Sequence, residues 1–355
     1  MVDDGSNINR VEALKKKKLL LVGPSTNSVH LENYHRLVAD AFGEVLVVTD
    51  QPITFSQHKL VSFRFNSGLF RNVRRLRKIV HEFKPDVIHV HQANTCAFVT
   101  ARANRKRVPL VVTCWGSDVL LMPQRGFISR FVVKFALSNA NVVTADADYV
   151  RQAAEKLVSG KTFLLANFGI DIPPIKLPDK EKIVFSNRLH KELYNIREII
   201  IGFCEFSKKN PEWKLIVGGS GELTDSLKQL ASSTLKESQF EFIGFVPKEE
   251  NQRQFLRASI WISMPSSDGT AISLLEAMSF GCIPVVSNLP ANREWIEDGN
   301  NGVVVKAGVA QALENALKLP LTEVQKKNTK IIQDKGTKAV NRAKFIEMYS
   351  ALLNG

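Results

Sequence analysis

The chain has 355 residues, 44% of them hydrophobic, 23% charged and 8% aromatic, which excludes a disordered tail, a collagenous repeat and a disulfide-rich secreted module. The length suits two domains. Lys and Arg number 48 against 35 Asp and Glu, a net +13 that is unevenly spread: residues 1–178 carry +11 and the rest +2. Such a cationic half implies a polyanionic partner, namely nucleic acid, an anionic membrane surface or a phosphate-bearing substrate.

In chain order, the basic run Lys15–Lys18 leads into an apolar stretch ended by Gly23-Pro24. That stretch is too short for a secretory signal and reads as a first buried strand over 18–23, so the protein is expected to stay in the compartment where it is made. A helix is predicted over 31–42, a strand over 44–48, and a basic helix over 71–83 that stops before Pro85. On that helix Val73, Leu76 and Val80 form an apolar stripe, with Arg71, Arg74, Arg75 and Lys78 around it. Strands follow at 86–90, 109–114 and 142–145, with a helix over 149–157. The longest apolar candidate, 127–143, is cut by Arg130, Lys134 and Asn139 and falls short of a membrane span. Three prolines within 172–178 mark a linker. The alternation then restarts: strands at 182–186, 213–217, 240–243, 260–264 and 284–287, and helices at 195–208, 223–232, 251–258 and 273–280. Apolar strands separated by helices imply an α/β architecture of two doubly wound, Rossmann-like parallel-sheet domains, facing each other across a cleft. The domains are read as residues 1–172, a linker at 173–180, and residues 181–335, with a helix at 336–355 returning towards the first domain.

The richest segment is 266–290, where a strand runs into a loop holding Asp268 and Gly269 and then into a helix carrying Glu276. A glycine-containing loop that opens a helix offers unpaired N–H groups and a positive dipole end to phosphate. A carboxylate in the loop and another two turns on suit hydroxyl recognition on either side of a diphosphate. Glu276 stands in an otherwise apolar helix, where a carboxylate needs a partner.

With these residues the chain resembles the retaining glycosyltransferases of family 4, which have the GT-B fold. Their E-x7-E-A-x-x-x-G motif stands here as Asp268, Glu276-Ala277 and Gly281, with aspartate in the first place. The resemblance extends over 85–91, Val111–Asp118, 167–171, 186–189, 216–222 and 242–247. Trp115 replaces the family's usual histidine, in a form similar to that of a subgroup of surface-polysaccharide and O-antigen enzymes. Leu193 stands where a lysine is common, with Lys191 as the nearest substitute.

The resemblance implies a metal-independent, hexosyltransferase-type enzyme. It would move a sugar from a nucleoside-diphosphate sugar, UDP first among donors, to a sugar or polyprenyl-lipid-linked acceptor in cell-surface glycan synthesis. Catalytic roles are expected for Arg188, Asp268 and Asp118. Donor binding is expected of Arg188, Lys191, Gly221, Phe245, Val246, Asp268, Gly269, Thr270, Ala271, Ile272, Ser273 and Glu276, and acceptor contact of Ser25, His30, His91 and Trp115. No cofactor or metal is expected. Expected partners are the nucleotide sugar, the acceptor and an anionic membrane, with the protein peripheral to the cytoplasmic face; nucleic acid is not among them, since no nucleic-acid-binding signature is present. Two alternatives stay open: an inactive nucleotide-sugar-binding scaffold subunit, prompted by Trp115, and a GT-B-fold sugar-nucleotide epimerase.

Three features read as structural. Asp146-Ala147-Asp148 matches a metal-holding D-x-D but opens a helix, where capping acids belong. His89 and His91 alternate on one strand face without a third ligand at metal spacing. Cys96, Cys114, Cys204 and Cys282 are far apart in apolar stretches, as buried free thiols are.

Overall fold

The computed structural model describes residues 5–24, 28–173 and 178–354. The chain divides into two compact units, Met1–Phe168 with Lys338–Gly355, and Gly169–Thr337.

The first unit holds seven strands: β1 (Lys18–Val22), β2 (Glu44–Thr49), β3 (His58–Leu60), β4 (Val87–His91), β5 (Leu110–Cys114), β6 (Val142–Ala145) and β7 (Thr162–Leu165). They form one sheet in the order β3-β2-β1-β4-β5-β6-β7, all parallel. Every residue of β4 and β5 is buried, as in inner parallel strands covered on both faces, although β4 carries His89 and His91 on one face and β5 carries Thr113. The basic helix, Leu69–Phe83, buries Val73, Leu76 and Ile79. The inward stripe thus runs through Ile79, with Val80 half-buried.

The second unit holds β8 (Glu181–Ser186), β9 (Lys214–Gly218), β10 (Phe240–Gly244), β11 (Ala258–Ser263), β12 (Ile283–Val286) and β13 (Val303–Val304), in the order β10-β9-β8-β11-β12-β13 and again parallel. Its two cores lie on opposite faces of the sheet: Val184 packs in one, Ile183 and Phe185 in the other, as the period of two along a strand requires.

The boundary falls earlier than the expected 172. Ile170 is 5% exposed, bridges to Thr337 and donates its N–H to the Gly336 carbonyl at 2.9 Å, which ties it to the second core. Most of the proline-rich linker lies outside the described residues. From Lys338 the chain rejoins the first unit as a helix to Asn354. Tyr349 on this helix is fully buried in the first core, and its hydroxyl contacts Tyr34 Oη at 2.7 Å and His89 Nδ1 at 2.6 Å. All four cysteines are free, Cys204 being half-buried and the other three buried. Among the described residues no helix is long and apolar enough to cross a membrane.

Candidate active site

In a doubly wound sheet the strand order reverses at one point, and loops leaving the carboxyl ends of the two strands there diverge to leave a crevice. In the second unit that point lies between β8 and β11. The loop after β8 carries Arg188 and the loop after β11 carries Asp268. Arg188 donates from Nη2 to Asp268 Oδ2 at 2.6 Å and from Nη1 to Ser273 Oγ at 3.0 Å, and its guanidinium lies 4.5 Å from the Tyr194 ring centroid. The two side chains of the ion pair are only 12% and 23% exposed, so the pair is little screened and its geometry is fixed from three sides. The helix Ile272–Ser279 begins beside it with no side-chain cap, leaving first-turn N–H groups for an anion. Gly269 donates its N–H to Asp268 Oδ1 at 3.1 Å, which orients the carboxylate.

Glu276 has its partner: Asn251 donates to Oε2 at 3.4 Å. Asn251 is oriented in turn by Asn187 at 2.8 Å, and Asn187 by the indole N–H of the buried Trp261 at 2.9 Å. Three polar side chains thus hold one half-buried carboxylate at the rim.

The glycine turn after β9 packs closely on the loop that carries Arg188. Gly219 has φ +104°, and a Cβ there would stand 2.4 Å from the Arg188 carbonyl oxygen; at Gly221 a Cβ would stand 2.4 Å from that of His190. The glycines let this turn press against the backbone that carries Arg188. Gly221 also spends its N–H on Thr224 Oγ1 at 3.0 Å. Val246 packs where a Gly218 Cβ would collide with it, 2.5 Å away, and Phe245 is 78% exposed. Thr270 is buried, and its hydroxyl accepts from Trp295 Nε1 at 3.1 Å. That turns its side chain to the core. Ala271 and Ile272 pack on the same core. Lys191 is exposed, while the carbonyl of Leu193 accepts the Ser266 N–H at 2.9 Å and ties the two loops together. Asn251 and Asn187 escaped sequence reading because each acts through a partner far along the chain, and Tyr194 because nothing in its type or spacing marks its contact with Arg188.

In the first unit the reversal lies between β1 and β4. His91, at the end of β4, is fully buried; its ring stacks on His89 at 4.7 Å and packs against Tyr34 at 4.4 Å and Trp115 at 5.5 Å. Among the described residues neither of its ring nitrogens has a hydrogen-bond partner. Burial, with His89 and His30 nearby, holds its pKa well below the usual histidine value, so it is neutral at pH 7. His30 lies 4.8 Å from Trp115. His30, His91 and Trp115 are therefore brought together, with Tyr34 and Phe168, into one aromatic cluster; Ser25 lies outside the described residues. His89 is structural: its Nε2 contacts Thr113 Oγ1 at 2.6 Å, and burial lowers its pKa to about 3.

The structure gives Asp118 a different role from the catalytic one expected. It is 3% exposed and accepts the N–H of Ala93 at 2.7 Å and of Trp115 at 3.0 Å. Its carboxylate clamps the turns after β4 and β5 and faces backbone. Burial raises its pKa to about 6 against the opposing pull of those N–H groups. The Asp146–Asp148 reading is corrected in detail. The N-cap is Ala147, without a side-chain bond. Asp148 instead takes Arg151 at 2.7 Å and Gln152 at 2.6 Å within the first turns. Among the described residues no three His, Cys, Asp or Glu side chains gather as metal ligands do.

Two family models match. "Glycosyl transferases group 1" covers residues 170–336 and "Glycosyl transferase 4-like" covers residues 18–147. The poly(glycerol-phosphate) alpha-glucosyltransferase of Bacillus subtilis is 27% identical over 56% of this chain and 30% of its own length. The alpha-monoglucosyldiacylglycerol synthase of Streptococcus pneumoniae is 22% identical over 67% of this chain and 59% of its own. The chain thus spans less than two thirds of either relative. A crystal structure of Anabaena HepE in complex with UDP superposes with a TM-score of 0.78 at 17% identity, covering 94% of this chain and all of that one. The two parallel sheets match the GT-B architecture, and with the two models spanning most of its length the chain belongs to the group 1, family 4-like glycosyltransferases.

Proposed function

We propose that the protein transfers a hexose from a nucleoside-diphosphate sugar, UDP-linked first among candidates, to a sugar or polyprenyl-lipid-linked acceptor, with retention at the anomeric carbon and without a metal. The observation that carries this reading is the Arg188–Asp268–Ser273 constellation at the β8/β11 reversal, beside an uncapped helix start. When the bond from the anomeric carbon to the diphosphate oxygen breaks, negative charge collects on the diphosphate. Arg188 and the free N–H groups stand where that charge is stabilised without reorganisation. Asp268 orients sugar hydroxyls, and Glu276, held by Asn251, binds ribose hydroxyls. The acceptor hydroxyl forms the new bond on the face the diphosphate leaves and gives its proton to the departing diphosphate oxygen; in the first unit the His30, His91 and Trp115 cluster binds the acceptor. Lipid-bound or polyanionic acceptors accord with the activities for which the two bacterial relatives are named and with the +11 charge of residues 1–178, which draws the protein to the anionic inner face of a membrane.

The test is a thermal-shift panel of nucleotide sugars, followed by donor turnover on the best ligand. Arg188→Ala should lower kcat by about 10²–10³. Wild-type turnover in that variant refutes the diphosphate assignment. Donor binding without any turnover in the wild-type chain would instead favour the scaffold reading.

A further inference from the structure

On the first unit, remote in sequence from the donor residues, the helices Leu69–Phe83, Thr95–Asn104 and Phe127–Asn139 enclose a groove of about 860 Å³. Its floor is apolar, with Val73 and Phe98 buried and the Phe135 ring 4.9 Å from that of Phe98. Large apolar side chains stand out at its edge and on the first turn of the third helix: Phe70 is 70% exposed, Phe127 83%, Ile128 52% and Phe131 58%. Phe127, Phe131 and Phe135 are spaced by four, so they line one side of that helix.

The charge around this groove is one-sided. Segments 64–80, 93–117 and 119–145 contain thirteen Lys and Arg and no Asp or Glu. Among the described residues only Lys78 of these has a carboxylate partner, Glu82 at 3.6 Å. Arg77 anchors to the carbonyls of Arg102 and Ala103 at 3.3 and 3.5 Å, and partial burial and the neighbouring Arg105, Arg107, Arg102 and Arg74 depress its pKa. So many unpaired cations held together repel one another, and large exposed apolar side chains beside them are costly in water. A surface that is anionic outside and apolar beneath satisfies both.

We propose that this face is a membrane-insertion site: the arginines bind lipid phosphates of an anionic bilayer, and Phe70, Phe127, Ile128 and Phe131 enter the boundary between headgroups and acyl chains. The site deepens the membrane-surface part of the proposed function and for its purpose rests on it, replacing bulk attraction by a defined face, a lipid class and inserted residues. A single-stranded nucleic acid would use the same cations and stack on exposed rings, but the aliphatic Ile128 among them and the lack of a nucleic-acid-binding signature in the sequence favour lipid.

The full chain is sedimented with vesicles of phosphatidylcholine alone and of phosphatidylcholine mixed with phosphatidylglycerol. Expected is binding to the mixed vesicles only. Phe127→Ser with Phe131→Ser should weaken it about tenfold or more, as losing the burial of a large apolar side chain does, and Arg74→Glu with Arg105→Glu should abolish it. Emission of the Phe127→Trp variant, as a difference from wild type, should shift to the blue and be quenched by brominated lipid. All variants should keep wild-type circular dichroism and wild-type donor turnover on a soluble acceptor. Full binding by the double Phe variant, unshifted Phe127→Trp emission, equal binding to both vesicles, or single-stranded RNA displacing the vesicles each overturns the proposal. Failed vesicle binding with intact donor turnover refutes this site and spares the transferase reading; vesicle binding without turnover does the reverse.

Discussion

Taking the protein from pH 7 to pH 5 should weaken the first unit by about 1–3 kcal/mol, with the loss centred on β4, β5 and the Lys338–Asn354 helix. His89 is held near 3 by burial, against 6.5 in the unfolded chain. Between those values the unfolded chain binds a proton that the folded one refuses, so this stability is complete above pH 6.5 and falls as pH drops towards 3. At pH 5 the cost is about 2 kcal/mol for His89. His91, also depressed by burial, pulls the same way. Asp118 opposes them: raised to about 6 from an ordinary 3.8–3.9, it binds its proton first in the folded chain. Its penalty at neutral pH is relieved between pH 6 and 3.8, returning about 1 kcal/mol by pH 5. Hydrogen exchange at the two pH values, corrected for intrinsic rates, reads the effect in peptides spanning 87–118 and 338–354, with 181–218 as the internal reference. Asp118→Asn should steepen the loss, because the offset is gone. Unchanged protection in 87–118, or an equal loss in 181–218, would refute this account of the buried histidines.

Gly219→Ala should cost about 2–3 kcal/mol, from the positive φ and the collision with the Arg188 carbonyl, and should lower donor affinity with it; both are read from thermal melts with and without UDP. Tyr349→Phe removes the hydroxyl shared by His89 and Tyr34 and should cost about 1–3 kcal/mol in urea unfolding. A neutral result would mean that the hydroxyl is replaced there. Asn251→Ala should raise the donor KM several-fold with kcat nearly kept, since it frees Glu276 by about 1 kcal/mol; a fall in kcat at constant KM contradicts the ribose role. EDTA should leave turnover intact, and a loss restored by Mn²⁺ or Mg²⁺ would overturn the metal-independent mechanism.

The fold's alternation was legible because inner parallel strands are buried on both faces and so leave continuous apolar runs. The strands that escaped sequence reading, β3, β7 and β13, are all sheet edges. β3 and β13 are only three and two residues long, and β7 has exposed ends. Asp268 and Glu276 stood out because they share one short strand–loop–helix segment, and Arg188 because 186–189 resembles the family's diphosphate-binding strand end. Asn251 could not, since its contact with Glu276 spans 25 residues. The catalytic expectation for Asp118 came from the resemblance of Val111–Asp118, and only the fold shows the Ala93 N–H, 25 residues away, on its oxygen.

The return of residues 338–354 to the first core has a consequence for synthesis. A ribosome delivers the first unit's sheet early, yet that core lacks Phe345, Ile346 and Tyr349 until nearly all the described chain has been made. The second unit is contiguous from Gly169 to Thr337 and can close as soon as it emerges. Folding then runs against the usual N-terminal-first order. The first sheet waits with His89 and Tyr34 still exposed, and a stall or truncation before residue 345 would strand it unfinished beside a completed neighbour.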